Sequence, residues 1–416
     1  MKIAIIGAGI SGLSSAYYLH AQHDITVFES ADRIGGHTAT INVQYDGRDY
    51  SIDTGFIVYN DWTYPHFIEL MDSLRVESKP TEMSFSVSCA QTGLEYGGNN
   101  LDTLFAQRRN VFNGSYLMML KDIMDFNKSA IQDLDSGLLD EATTLGEYLQ
   151  KKQYGKLFAS HYLIPMGSAI WSSTLDEMLE FPLVFFVRFF KNHGLLSVNN
   201  RPQWRVIKGG SSAYLTPLTA GFRDRIKLNS QIQRVERHSN SVCLHFTEQL
   251  SEEFDQVIFA CHSDQVLALL DDATEDEKDV LGAMPYRMNE VVLHTDDSIL
   301  PKKKKAWSSW NYHLSGDSTR PATLSYNMNI LQGIESDATF VVTLNDTASI
   351  DASCILGRYQ YAHPVFTLDG IKAQQRWADI NGVKRTWFCG AYWRNGFHED
   401  GCMSGIRVAN ALQEIL

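Results

Sequence analysis

The first 29 residues constrain the fold of this chain most. Residues 3–6 form a short apolar run, typical of a strand buried on both faces, and lead into the turn Gly7-Ala8-Gly9-Ile10-Ser11-Gly12. A helical pattern and a second strand, residues 25–28, follow, and Glu29 comes directly after that strand. This order of strand, glycine turn, helix, strand and acid is typical of a dinucleotide-binding βαβ unit.

Each glycine of the turn has a physical role in such a unit. Gly7 permits the tight turn, Gly9 lets the backbone approach a diphosphate, and Gly12 lets the helix pack closely on the strand. The free N–H groups and the positive dipole end of the helix then face the phosphates. Glu29 lies roughly 20 residues past the central glycine, where a carboxylate accepts hydrogen bonds from ribose hydroxyls. These residues predict a bound adenine dinucleotide.

Composition excludes several other classes of protein. The net charge of −13 disfavours binding to nucleic acid. The six cysteines are scattered without a CxxC pair, which favours reduced thiols in a cytoplasmic protein over disulfides or a zinc site. Met1 leads directly into the first strand and no apolar run reaches roughly 18 residues, so we expect neither a signal peptide nor a membrane span.

The chain departs from a plain NAD dehydrogenase after Glu29. It continues with Arg33-Ile34-Gly35-Gly36-His37, then a predicted hairpin of residues 40–45 and 50–53, closed by Asp53-Thr54-Gly55. These segments resemble flavoproteins of the amine oxidase, protoporphyrinogen oxidase and phytoene desaturase type. In that family the arginine-Gly-Gly segment packs over the FAD diphosphate, and His37 stands where arginine is common.

The resemblance implies an α/β fold with interleaved domains. A Rossmann-like FAD-binding domain of the glutathione reductase type (type 2) would comprise residues 1–63, 197–282 and 363–416. An α+β substrate domain would comprise a mostly helical cap, residues 64–196, and a strand-rich part, residues 283–362. We see no signature of a particular substrate in these two insertions.

Two later segments also match the family. Residues 204–211 read as a strand ending at a glycine pair, and residues 385–392 as a strand reaching a glycine that precedes the acid-glycine pair Asp400-Gly401. Gly405 departs from the commonest spacing by about one residue. A residue near Val235 contacts the adenine in relatives. The resemblance therefore implies FAD contacts from Gly7, Gly9, Ser11, Gly12, Glu29, Ser30, Arg33, Gly35, Gly36, His37, Gly55, Gly209, Gly210, Val235, Ala260, Gly390, Asp400 and Gly401.

Candidate catalytic residues follow the last strand. We expect His398 and Glu399 in a loop near the flavin, with Tyr392 and Trp393 as aromatic walls, although each of these side chains could instead pack or cap. Amine oxidases of the family often carry a lysine bonded through water to flavin N5, and no lysine here matches it. His398, Glu399 and Asp400 are consecutive and point in different directions, so no metal site is predicted.

Three functions remain open. The favoured one is an FAD-dependent oxidoreductase that transfers a hydride from a small, apolar or amine-bearing organic substrate to flavin. The second is a redox-neutral double-bond isomerase, or a desaturase, of a fatty acyl or isoprenoid chain. The third is a non-catalytic flavin-binding protein. Net consumption of an electron acceptor separates the first function from an isomerase.

Two stretches also admit two interpretations each. Residues 175–190 read as one helix, and residues 181–190 within it are unusually aromatic, which favours a buried cap helix. The alternative is an apolar substrate channel or a membrane-facing entrance for a lipid-like substrate. The four lysines at 302–305 favour a solvated loop tip; the alternative is peripheral contact with anionic lipid.

Overall fold

A computed structural model describes residues 1–197, 199–315 and 323–414. The strands in these ranges are β1 Lys2–Ile6, β2 Asp24–Phe28, β3 Thr40–Tyr45, β4 Arg48–Asp53, β5 Val58–Asn60, β6 Ser78–Thr81, β7 Phe85–Cys89, β8 Glu95–Gly97, β9 Trp204–Ile207, β10 Ile226–Lys227, β11 Ile232–Arg237, β12 Val242–Phe246, β13 Glu252–Phe254, β14 Gln256–Phe259, β15 Tyr286–His294, β16 Trp310–Leu314, β17 Thr323–Asn327, β18 Val341–Leu344, β19 Ile355–Pro364 and β20 Thr386–Phe388.

The α-helices in the same ranges are α1 Ile10–Leu19, α2 Pro65–Ser73, α3 Leu101–Leu104, α4 Gly114–Asp135, α5 Leu145–Lys152, α6 Lys156–Phe158, α7 Ile164–Trp171, α8 Leu175–Leu179, α9 Leu183–Asn192, α10 Leu215–Thr219, α11 Ser263–Leu269, α12 Glu275–Gly282, α13 Met328–Leu331, α14 Leu368–Gln374, α15 Trp377–Ile380 and α16 His398–Glu414. In the part of the chain that the structure describes, no helix combines the length and the apolar character that crossing a bilayer requires.

A five-stranded parallel sheet organises the dinucleotide-binding half. Its strand order is β10-β2-β1-β14-β20, and the residues of β1 from Ile3 to Ile5 are completely buried. Because neighbouring strands are parallel, the carboxyl ends of β1, β14 and β20 meet at one edge. Gly7, Ala260 and Gly390 follow those three ends. The βαβ unit predicted from the first 29 residues is therefore confirmed, and its turn lies at the edge where ligands of such sheets bind.

The last helix begins earlier than predicted and packs on α1. It starts at His398, so His398 and Glu399 lie in its first turn and not in a loop. The Asp400 carboxylate accepts hydrogen bonds from the backbone N–H of Phe397 (2.9 Å) and of Asn395 (3.2 Å). An acid at this third helical position closes the first turn by reaching back to the residue before the helix, and it also complements the helix dipole.

A seven-stranded sheet joins the two insertions. Its order is β19-β15-β18-β17-β16-β7-β8, and of its strand pairs only β16 and β7 run parallel within the described ranges. Strands β7 and β8 come from the first insertion and β15 to β19 from the second. Residues far apart in the chain thereby form one wall opposite the dinucleotide-binding half.

The aromatic stretch 181–190 is mostly core. The single helix expected over 175–190 is two helices, α8 and α9, because the chain turns at Pro182, whose φ of −61° and ψ of 116° are not helical. Phe186, Phe189 and Phe190 are 0%, 4% and 1% exposed, whereas Arg188 faces solvent. This burial favours the packed-helix interpretation over a channel.

Candidate functional site

The glycine turn leaves an open approach to the start of α1. A Cβ at Gly7 would lie 2.8 Å from the Ala260 carbonyl oxygen, and one at Gly12 would lie 2.0 Å from the Gly7 carbonyl oxygen. A Cβ at Gly9 would instead meet no atom within 4 Å, and no side chain caps the helix there. The first N–H groups of a helix have no intrahelical partner. Their donors therefore face open space, an arrangement that fits a diphosphate.

The Arg33–His37 loop closes over this turn. The Gly35 N–H donates to the Ala8 carbonyl oxygen at 2.7 Å, and a Cβ at Gly36 would lie 3.3 Å from the Gly9 Cα. The Arg33 guanidinium donates to the Gly36 carbonyl oxygen at 2.9 Å and so braces its own loop. The resemblance placed these residues beside a diphosphate, and the structure brings them against the glycine turn.

Glu29 links the turn to the second strand. One carboxylate oxygen accepts the Ala8 N–H at 2.8 Å and the other accepts the Ala31 N–H at 3.0 Å. The Ser30 hydroxyl lies 3.3 Å from the same carboxylate. Each carboxylate oxygen has two acceptor sites, so the oxygen that takes only the Ala8 N–H can still accept a ribose hydroxyl, and the other can do so when the Ser30 hydroxyl turns away. Val235 lies buried farther along β11, whose start is tied to this loop by the bond from Gln231 Nε2 to the Ser30 carbonyl oxygen (3.2 Å).

Asp53 is a buried junction that the sequence reasoning did not select. Its carboxylate accepts bonds from Thr40 Oγ1 (2.6 Å), the Ser211 N–H (2.8 Å) and Gln332 Nε2 (2.9 Å). Burial raises the pKa of this carboxyl to about 6. Asp53 thereby joins the hairpin to the residue after Gly209-Gly210. The Asp-x-Gly pattern in the sequence was the available signal for this junction. Its glycine, Gly55, is required because a Cβ at that position would lie 2.1 Å from the carbonyl oxygen of His37.

His398 and Glu399 are engaged in contacts within the protein. The His398 ring stacks on Phe56 at a centroid distance of 3.7 Å, and its Nε2 lies 2.9 Å from the Tyr214 hydroxyl. Burial lowers the pKa of His398 to about 3, so the ring is neutral. The Glu399 carboxylate accepts the N–H groups of His66 (3.2 Å) and Phe67 (2.9 Å) at the start of α2. These geometries suit positioning and capping.

The other two aromatic candidates are also buried. Tyr392 and Trp393 are 1% and 5% exposed, and they follow Gly390 at the carboxyl end of β20. The Tyr392 ring lies 6.5 Å from the Tyr286 ring at the start of β15. The pair therefore lies where the parallel sheet meets the seven-stranded sheet.

A cluster of five rings occupies that junction. The His37 ring lies 6.0 Å from His262, 5.6 Å from His363 and 5.3 Å from Tyr361, and His262 stacks on Tyr286 at 4.1 Å. Burial lowers the pKa of His37 to about 3 and that of His363 to about 4, and it lowers the pKa of His262 as well. We call these five residues the ring cluster. Only His37 was predicted at the site, because the others come from β15, β19 and the turn after β14, segments that no local pattern brings together.

The close contact between α1 and α16 holds the helix that follows the glycine turn, and a substitution can test its importance. A Cβ at Gly405 would lie 2.3 Å from the Ser11 carbonyl oxygen, so Gly405→Ala should force the two helices apart. We expect a loss of about 1–3 kcal/mol in unfolding free energy, together with weaker cofactor retention. Gly114→Ala is the control, since its Cβ would meet no atom within 4 Å. Thermal unfolding measures the loss of stability, and flavin absorbance after gel filtration measures cofactor retention. Equal stability and equal flavin retention in the two variants would show that close packing of α1 on α16 does not support the cofactor site.

Comparison with known proteins assigns the family. The model of the flavin-containing amine oxidoreductase family matches residues 10–328. An L-amino-acid oxidase of Siganus canaliculatus is 23% identical over 292 residues, which cover 64% of this chain and 49% of that protein. The chain thus spans about half the length of this curated relative.

Solved structures share the fold. Cyclohexylamine oxidase from Brevibacterium oxydans superposes with a TM-score of 0.69 at 17% identity, over 100% of this chain and 99% of that chain. The fatty acid isomerase from P. acnes that produces CLA gives a TM-score of 0.69 at 17% identity, over 100% and 98%. Three features fit bound FAD: the open start of α1, the remaining acceptor capacity of the Glu29 carboxylate, and the Arg33–His37 loop over Gly9. The chain belongs to the flavin-containing amine oxidoreductase family.

Proposed function

We propose that this enzyme oxidises a neutral, mainly apolar substrate held between the parallel sheet and the seven-stranded sheet. In this proposal the start of α1 binds the FAD diphosphate, Glu29 binds the adenosine ribose, and the two insertions form the substrate side. Bound FAD supplies the hydride acceptor. The observation that carries the proposal is the ring cluster itself, in which three imidazoles pack against two tyrosine rings at that junction.

Charge complementarity argues against an anionic substrate group at this junction. Burial lowers the pKa of all three imidazoles in the ring cluster, which favours their neutral form, and no lysine side chain in the described ranges is buried. The fully buried guanidinium of Arg237 is paired with Glu277 and Asp272 and lies near Thr386, at the opposite end of β20. A substrate carboxylate at the ring cluster would therefore be desolvated with no buried cation beside it, which is costly.

The ring cluster can orient such a substrate without carrying charge. His37 is held by a contact of 3.1 Å from Nε2 to the Ala362 carbonyl oxygen, and His363 by one of 3.0 Å from Nδ1 to the Ser172 hydroxyl. Fixed rings of this kind exclude water and offer neutral hydrogen-bonding nitrogens. The redox-neutral isomerase remains the second candidate, since an apolar chain would also pack against the ring cluster.

Anaerobic mixing with a substrate panel tests the proposal. Purified holoenzyme is mixed without oxygen with a fatty acid ester, a polyene, a primary amine and an L-amino acid, and the loss of yellow flavin absorbance is recorded. We expect bleaching by a neutral apolar compound, reversed by an electron acceptor with net product oxidation. Bleaching by the amine or amino acid alone would contradict the proposal. Double-bond migration without acceptor consumption would assign the isomerase, and no reaction with purified, FAD-loaded protein across an extended panel would favour a binding role.

A further inference from the structure

We propose that one face, to which both insertions contribute, docks on an anionic lipid bilayer. This face, the basic-apolar patch, is formed by α3, the turn before α4, the first turn of α4 and the lysine loop. The proposal goes beyond the chemistry at the ring cluster and rests on different residues. The members of the patch are Leu101, Arg108, Arg109, Val111, Phe112, Leu117, Met118, Lys302, Lys303, Lys304 and Lys305.

The apolar members are unusually exposed. Phe112 is 92% exposed, Leu101 74% and Met118 53%. Eleven large apolar side chains are exposed in the described ranges, and five of them belong to the patch. Single exposed apolar residues are ordinary on protein surfaces, but a concentration of them in one region marks an interaction site.

The lysine loop lies on the same face as α3. The Asp102 carboxylate accepts hydrogen bonds from both the Arg108 guanidinium and Lys305 Nζ, the latter at 3.2 Å, and so ties the two segments together. The Glu95 carboxylate accepts the backbone N–H groups of Lys302 (3.0 Å) and Lys303 (2.9 Å). The loop is thus held by its backbone while its lysine side chains stay exposed.

Several positive charges of the patch are uncompensated. No ion pair with a described residue involves Arg109, Lys302, Lys303 or Lys304. The whole chain carries a net charge of −13, so this concentration of cations is unlike the rest of the molecule. An anionic bilayer would attract the patch and repel other faces, which orients the protein at the membrane.

The chemistry of the patch favours lipid over a protein partner. Lysine is depleted in protein–protein interfaces, whereas lysine and arginine beside exposed phenylalanine and leucine are typical of interfacial membrane binding. A cleft of about 480 Å³ opens between Arg109 and Phe112 and is otherwise lined mainly by polar side chains. It offers a cationic rim and an apolar rim to a phospholipid headgroup.

Vesicle sedimentation tests the docking. FAD-loaded protein is mixed with vesicles of phosphatidylglycerol and, separately, of phosphatidylcholine. We expect binding to phosphatidylglycerol that weakens with salt. Phe112→Ser should lower this binding about tenfold, and the double variant Lys303→Glu, Lys304→Glu should lower it by about fivefold per charge removed. Leu250→Ser and Lys278→Glu are matched controls, because both side chains are exposed away from the patch, and should bind like the parent.

Three results would overturn the proposal. The first is equal binding, or none, to the two kinds of vesicle. The second is a loss of binding in the controls as large as in the patch variants. The third is a dimer, detected by light scattering without lipid, that Phe112→Ser dissociates, since the patch would then bind a second copy of this chain. All the substitutions lie at exposed positions, so a failure to fold does not obscure the outcome.

Discussion

Glu29→Ala is expected to give folded protein that loses FAD on dialysis. In the proposed complex the carboxylate accepts two ribose hydroxyls, and hydrogen bonds to a charged group contribute about 1.5–3 kcal/mol each. Removing both should weaken FAD binding roughly a hundredfold or more. The ratio of flavin to protein absorbance, measured before and after dialysis, reports the loss. A circular dichroism spectrum shows whether the fold is retained.

Two further variants separate cofactor binding from local structure. Glu29 also accepts the N–H groups of Ala8 and Ala31, so its removal loosens the turn itself. Glu29→Gln keeps one oxygen acceptor and loses the charge, and we expect intermediate retention. Glu248→Ala, at an exposed position between β12 and β13, should retain FAD fully. Full occupancy in Glu29→Ala after exhaustive dialysis would show that this carboxylate does not hold the ribose.

Phe186→Ala is expected to lower the unfolding free energy by about 3–5 kcal/mol. Phe186 is fully buried and stacks on Phe190 at a centroid distance of 4.0 Å. It also packs so closely that a Cβ at Gly167 would lie 2.9 Å from its ring. Truncation leaves a cavity in a region with little freedom to collapse. Thermal and urea unfolding of the holoenzyme measure the change.

The neighbouring rings distinguish a core from a channel. Phe189 stacks on His193 at 3.8 Å and on Phe397 at 5.1 Å, so Phe189→Ala should also be strongly destabilising. Phe185 is only partly buried, and Phe185→Ala should cost less. If Phe186→Ala and Phe189→Ala kept the parent melting temperature and instead raised the KM for an apolar substrate, residues 181–190 would line a route to the flavin.

Local sequence patterns predicted several elements of the fold. The hairpin β3–β4 was predicted from Asp46-Gly47, and both residues have the positive φ that such turns need. The helix over 175–190 was predicted wrongly as one piece, because apolar periodicity continues across Pro182 although the backbone does not. The start of α16 was placed too late, because its N-terminal turn depends on the side chain of Asp400.

The sequence by itself determined the family, the cofactor and the glycine turn that receives it. Those features depend on residues adjacent in the chain, where spacing alone sets the geometry. Only the tertiary structure decided which side chains face each other across the site. Asp53 meets Ser211 and Gln332, and His37 meets His262 and His363, because separate sheets bring distant segments together. Burial at that junction then sets the charge of the imidazoles, a property that no local pattern encodes.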